Sequence, residues 1–276
     1  MINAPVVIAV APNGARRTKA DHPALPVTPA ELAQCAKDCL SAGASMIHLH
    51  VRDAEQRHVL DAGLYREALA AVKEVVEDRM VVQITTEAGG IYEPQGQMEV
   101  VRQLRPDAVS LAVRELMAEA DLDVVADFLD WMADEGIATQ YILHTPDDAM
   151  KFRDLRRRKF IPGTRPAVLY VLGRYTDSAP GDPAAIFPFL EMAGGDEGSW
   201  MVCAFGRSEV ACAATAAALG GHVRIGFENN TTTPYGKPLA DNAEQVVRVR
   251  ETLERMGRPA ASGEDARRIL GLREGS

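Results

Sequence analysis

Short runs of apolar residues alternate along this chain with longer stretches whose apolar side chains recur every three or four positions. The short runs fit buried strands and the longer ones amphipathic helices, because facing repeats every second residue on a strand and roughly every 3.6 on a helix. This reading places strands at Pro5–Pro12, Ser45–Arg52, Met80–Thr85, Asp107–Ala112, Ala138–Leu143, Pro166–Val171, Ser199–Ala204 and His222–Glu228. The helices between and after them run from Thr28 to Gly43, then Gly63–Glu77, Pro94–Leu104, Asp121–Glu135 and Pro146–Lys159. They continue with Pro183–Ala193, an alanine-rich stretch to Leu219, Asn242–Met256, and a tail helix at Gly263–Leu270 expected on the outside of the fold. Thr28-Pro29-Ala30-Glu31 marks a helix start, with a capping hydroxyl, a proline at the first helical position and a glutamate that can reach back to the cap. Eight strand–helix units without a linker or repeat predict one domain over residues 1–276, an α/β protein closed into a (β/α)₈ barrel with a short C-terminal extra helix. An open doubly wound sheet loses to it because the first strand leads into Asn13-Gly14-Ala15 and not a Gly-x-Gly-x-x-Gly loop.

A barrel of this kind gathers its functional side chains at the C-terminal ends of the strands. Read in order, those ends carry Asn13, His48 and His50, Thr85-Thr86-Glu87, Ser110, His144, Gly173-Arg174, Phe205-Gly206-Arg207, and Arg224 with Glu228. His48 and His50 alternate with Ile47, Leu49 and Val51, so both imidazoles point to one face, either as metal ligands or as hydrogen-bonded core residues. Arg224, Gly226 and Glu228 share a face of the last strand in the same way. Two imidazoles and one carboxylate leave a position open for water or substrate, the donor set of a catalytic zinc, and iron or manganese suits it too. The competing role for Glu228 is an ion pair with Arg224 alone, and His144 is the next candidate ligand. His22, His58 and His222 read as surface or structural histidines.

The composition, 47% hydrophobic and 25% charged, is that of a globular enzyme, and the net charge of −9 disfavours nucleic acid as a general partner. No apolar run reaches the roughly 18 residues of a membrane span, and the N-terminus lacks a basic, apolar leader, which predicts a cytoplasmic protein. Cys35, Cys39, Cys203 and Cys212 show no Cys-x-x-Cys spacing and are expected to remain thiols.

Three motifs then come together: His48-Leu49-His50-Val51-Arg52-Asp53, Ala24-Leu25-Pro26-Val27-Thr28-Pro29, and Gly220-Gly221-His222-Val223-Arg224-Ile225-Gly226-Phe227-Glu228-Asn229-Asn230. With the tail Gly257-Arg258-Pro259-Ala260-Ala261, they make the chain resemble the β-keto acid cleavage enzymes over nearly its whole length. The resemblance implies a zinc-dependent barrel, homo-oligomeric and commonly tetrameric, that exchanges acyl groups between a β-keto acid and acetyl-CoA. It places zinc on His48, His50 and Glu228. A metal there would polarise the keto and carboxylate oxygens of the substrate, and Arg224 could stabilise an oxyanion or orient a base.

The departures from the family pattern matter as much. Asn229 stands where the family commonly has an aspartate serving as base, and an amide cannot accept the proton. Glu87 is the expected substitute at this catalytic position, with Glu115 second. Arg16, followed by Arg17 and Lys19, replaces a glutamate that contacts the substrate ammonium in the member acting on an amino-keto acid. A cation there suits a second carboxylate or the phosphates of CoA and disfavours an amino substrate. Arg114 replaces an asparagine-containing turn and is expected to narrow the pocket, while Thr85 and Ser110 are expected to hydrogen-bond the substrate carboxylate. Two other readings stay open: a metal-dependent lyase (aldolase or decarboxylase) that does not use CoA, and a zinc-containing barrel that binds a metabolite without turning it over.

Overall fold

Val, Ile and Leu runs form strands here because both of their faces are covered, one by helices and one by the opposite wall of a barrel. The computed structural model describes residues 4–117, 121–175, 180–195 and 198–272, so Met1–Asn3 of the N-terminal stretch lie outside it. Its strands are β1 (Ile8–Val10), β2 (Met46–Leu49), β3 (Val51–Arg52), β4 (His58–Val59), β5 (Val81–Thr85), β6 (Ala108–Ala112), β7 (Ala138–Leu143), β8 (Ala167–Leu172), β9 (Ser199–Ala204) and β10 (His222–Ile225). Eight of them close in the order β1-β10-β9-β8-β7-β6-β5-β2, and β3 and β4 form a separate two-stranded hairpin. Every barrel pairing is parallel. The chain therefore has the predicted (β/α)₈ architecture.

The helices are α1 (Pro29–Ala42), α2 (Ala62–Val76), α3 (Pro94–Leu104), α4 (Val113–Leu116), α5 (Leu122–Glu135), α6 (Pro146–Arg157), α7 (Ile186–Ala193), α8 (Glu209–Ala218), α9 (Asn242–Arg255) and α10 (Gly263–Leu270). α1 starts where its sequence signals it: Thr28 accepts from the Glu31 amide, Glu31 caps back, and Gly43 ends the helix with a left-handed φ of 113°. Outward-facing Ile8, Val10, Ile47, Leu49, Val82 and Ile84 pack beneath the helices. Inward-facing Val7, Ala9, Met46, Val81, Ala108 and Met201 fill the barrel interior. Farther along the same strands the inward positions turn polar: His48 is in register with Gln83, and Gln83 reaches Gln140 at 3.5 Å. That change from apolar floor to polar rung is what puts chemistry at one end of the barrel.

Four local expectations are corrected. The second strand ends at Leu49 and does not run on to Arg52, because Asn13 Nδ2 takes the His50 carbonyl (3.0 Å) and Val51–Arg52 turn aside to pair with His58–Val59. The last strand ends at Ile225, so Glu228 does not sit on it. Gly226 has φ +139°, and the chain turns sharply there, with the Asn229 and Asn230 amides both donating to the Gly226 carbonyl. The stretch after β6 contains a short helix, α4, that carries Arg114 and Glu115. The tail helix does not lie on the outside: Ala266 is fully buried and joins Val7, Met46 and Val81, so α10 plugs the N-terminal mouth of the barrel.

Gly226 also leaves no room for one further atom. A Cβ built there would come within 2.3 Å of the Ala11 carbonyl oxygen, and its φ disfavours any L side chain. Gly226→Ala is expected to destabilise the protein by more than ~2 kcal/mol, measured by urea unfolding. An unchanged midpoint would show that the turn can relax freely.

Candidate functional site

His48 sits in the last inward position of β2, and His50 lies just past the strand's end. Their Nε2 atoms are 3.2 Å apart. Glu228 reaches them from the turn after β10, with Oε2 at 3.5 Å from His50 Nε2 and 3.9 Å from His48 Nε2. All three residues are buried, and Glu228 Oε2 has no hydrogen-bond partner among the described residues. A four-coordinate ion with bonds of about 2.0–2.1 Å needs donor–donor edges of roughly 3.3–3.4 Å. The observed edges straddle that value, so the three residues can hold one metal ion. His48 Nδ1 meets Gln83 Oε1 at 2.8 Å, and the Gln83 amide nitrogen faces Gln140; the Nδ1 therefore carries the proton and Nε2 is left bare for a ligand.

The electrostatics favour the same protonation states. Burial, and then the neighbouring Arg224 charge, push His48 well below its usual value and keep it neutral. Burial would raise the Glu228 carboxyl, but Arg224 and His50 more than offset it, so Glu228 stays ionised far into acid. Arg224 donates to Glu228 Oε1 at 2.9 Å, while its Nε and Nη1 are buried without partners.

A cavity of about 480 Å³ opens over this cluster, and its walls include Arg16, His48, Thr85, Glu87, Arg114, Glu115, His144, Arg174, Tyr175, Arg224 and Glu228. Glu87 Oε2 lies 3.9 Å from His50 Nε2, and burial raises its carboxyl from its ordinary value. Glu115 also lines the cavity, but its carboxylate is held by the Ala88 amide at 2.9 Å. Ser110 and Asn229, both expected at the site, are buried but do not line the cavity. Among the described residues, the amide atoms of Asn229 and the hydroxyl of Ser110 have no hydrogen-bond partners. Thr85 is in the wall, its hydroxyl accepting from the Glu87 amide (3.0 Å). The basic loop divides by role: Lys19 pairs with Glu31 at 2.7 Å and Arg17 reaches Asn229 O and Thr231, leaving Arg16 to face the cavity.

Residues that sequence reasoning passed over hold this arrangement. Arg52 is buried and donates to the carbonyls of Asn13, Gly14, Ala15 and Arg17, fixing the loop that presents Arg16. His58, brought in by the unpredicted hairpin, binds the Glu87 carbonyl at 2.7 Å and lies tilted at 57° against the His50 ring. Tyr175 lies against Phe205, with its hydroxyl buried and without a partner among the described residues. The basic Arg52 in the motif after His50 was the one visible signal; the others depend on contacts remote in sequence.

Glu209 secures the turn that carries Glu228. It is buried in α8 and accepts from the Gly226 amide (3.2 Å), Asn230 Nδ2 (3.4 Å) and Gln245 Nε2. Burial nevertheless pushes its carboxyl up to about 8 from 4.5. Across that window the unfolded chain has lost the proton and the folded chain keeps it, so this residue makes stability fall as pH rises. Glu209→Gln removes the titration, and the stability gap between wild type and variant is expected to shift by at least ~1 kcal/mol in favour of the variant across that window. Urea unfolding near each end of it tests this; a gap independent of pH would exclude the effect.

Comparison with known proteins decides the family. A family model described as beta-keto acid cleavage enzyme matches residues 5–272. The chain belongs to this family. The β-keto acid cleavage enzymes it resembles include the 3-keto-5-aminohexanoate cleavage enzyme of Acetoanaerobium sticklandii, 29% identical over 97% of this chain and 98% of that one. Another is the 3-oxoadipate:acetyl-CoA acetyltransferase of Cupriavidus necator, 27% identical over 97% and 95% of the two chains. Among solved structures, apo ObcA superposes with a TM-score of 0.70 at 17% identity, over 91% of this chain and 66% of that longer one, and supports the fold. Among the described residues no helix is long and apolar enough to cross a membrane.

Proposed function

We propose that this enzyme cleaves a β-keto acid by exchanging its acyl group with acetyl-CoA, with zinc held by His48, His50 and Glu228. The observation that carries the reading is the three-donor cluster, two of whose members, His48 and Glu228, line the cavity, in a chain of this family. In the net reaction R–CO–CH2–COO⁻ and acetyl-CoA give acetoacetate and R–CO–CoA. The bond between the keto carbon and the CH2 breaks, the acyl group moves to sulfur, the acetyl group takes its place, and no proton is consumed. Zinc, when bound, would supply Lewis-acid polarisation of the keto and carboxylate oxygens.

The chain's own residues would do the rest. Glu87 is the carboxylate of the wall with neither a cationic partner nor a capping role, and it lies 3.9 Å from His50, within reach of a substrate bound over the three donors. It takes the proton there, in place of the aspartate that Asn229 replaces. Arg224 offers two unpartnered donors to the oxygen on which charge develops. Thr85 bounds the substrate carboxylate, and Arg16 and Arg114 border the cavity. Ser110, outside the wall, has no direct part in this reading. The five-amino keto acid is not the expected substrate, since its ammonium would meet these cations. A single-domain, cytoplasmic homo-oligomer is the state in which we expect the protein to work.

An exchange assay tests the reading: zinc-loaded protein, acetyl-CoA, a panel of β-keto acids, and mass detection of acyl-CoA. Formation of a new acyl-CoA together with acetoacetate is expected. Cleavage without loss of acetyl-CoA would instead identify a CoA-independent lyase, and ligand-induced stabilisation without turnover a binding protein.

A further inference from the structure

Three guanidinium groups stand around the cavity without a carboxylate partner among the described residues: Arg16, Arg114 and Arg174. The other cations near this opening are committed, Lys19 to Glu31, Arg224 to Glu228, and Arg17 and Arg52 to backbone carbonyls. Acidic residues outnumber basic ones in this chain, 39 to 30, so unpaired arginines gathered at one opening are not what its average surface offers. The carboxylates that share the wall do not answer them: Glu228 is paired with Arg224, Glu115 caps the Ala88 amide, and Glu87 faces His50.

The placement of Arg16 is built. Arg16 lies over the Tyr175 ring at 4.9 Å, and that ring rests on Phe205 at 4.5 Å. Arg52 clamps the carbonyls on both sides of Arg16. Arg174 directly precedes Tyr175, and Arg114 rises on α4 from the end of β6. In the same wall the Tyr175 hydroxyl is buried without a partner among the described residues. The wall thus offers positive charge and hydrogen-bond donors well beyond what one carboxylate and one keto oxygen can use.

We propose that the substrate is a β-keto dicarboxylic acid, whose far carboxylate is held by Arg16, Arg114 and Arg174 while its β-keto acid end lies over His48, His50 and Glu228. This rests on the acyl-exchange reading above. A guanidinium pairs with a carboxylate through two parallel hydrogen bonds, so a terminal carboxylate is bound and a terminal ammonium at the same place is repelled. The phosphates of CoA share this anionic chemistry and are the competing occupant.

The test compares three chain-matched β-keto acids, ending in a carboxylate, a methyl group or an ammonium, with the zinc-loaded full chain and acetyl-CoA. The diacid is expected to have a kcat/KM at least ~10-fold above the methyl-terminated acid, the scale of one charge-assisted contact, with the amino acid lowest. In Arg114→Gln and Arg174→Gln that diacid-to-monoacid ratio should fall toward one. Equal kcat/KM for diacid and monoacid, or variants that lower both alike, would overturn the proposal. Variants that instead raise KM for acetyl-CoA, but not for an acetyl-pantetheine donor without phosphates, would assign the arginines to CoA. If no acid is turned over, calorimetric titration with each acid still decides, since tighter binding of the diacid is required even where the exchange reading itself fails.

Discussion

Replacing His48 with alanine is expected to remove the bound metal and with it the exchange activity, leaving a folded barrel. Only two of three protein donors would remain, and loss of mere outer contacts to a metal ligand already weakens binding by ~10–100-fold. A first ligand should therefore cost more than ~100-fold in affinity. Gln83→Leu supplies the comparison: it leaves all three donors but removes the acceptor that orients the His48 ring at 2.8 Å, so ~10–100-fold is expected. Metal content by mass spectrometry after dialysis, with circular dichroism to follow folding, reads both. A full zinc complement in His48→Ala would sink the ligand assignment. Retained metal with lost activity would move His48 from ligand to substrate contact.

Glu87→Gln should lower turnover by at least ~100-fold with little change in metal content, as expected when a base that transfers the proton is made unable to accept it. The substitution keeps size and hydrogen-bonding reach, and the Glu87 amide and carbonyl remain held by Thr85 and His58, so the loop should not move. The diagnostic measurement is exchange of the substrate's acidic hydrogen with deuterated water in the absence of acetyl-CoA. Loss of that exchange alongside turnover would place Glu87 at the proton. Activity near wild type would shift the base role to another group of the wall, and loss of metal in Glu87→Gln would make it a fourth ligand.

Much of this site was legible before any coordinates. The spacing of His48 and His50 and the position of Glu228 pointed to one metal cluster, and the three residues do converge. Strand alternation is not what carries Glu228 inward, however: β10 ends at Ile225 and a turn at Gly226 delivers the carboxylate. That turn depends on Ala11, Glu209 and Asn242, which lie far from it in the chain. Ser110 and Thr85 looked equivalent as residues near strand ends, yet only Thr85 reaches the cavity. Arg16, Arg17 and Lys19 formed one basic loop on paper and separate into three roles in space.

What the sequence determined by itself is what periodicity and local chemistry encode: eight alternating strand–helix units, the capped start of α1, and two imidazoles brought together at the C-terminal end of a buried strand. These follow from the facing of neighbouring side chains and from hydrogen bonds between residues close in the chain. Only the tertiary structure decided where β2 breaks, that α10 plugs the barrel, and which cations remain unpaired around the cavity. Each of those outcomes is set by a partner remote in sequence, such as Asn13 for the His50 carbonyl or Glu31 for Lys19, and a buried donor or acceptor takes whichever partner the closed barrel brings within reach.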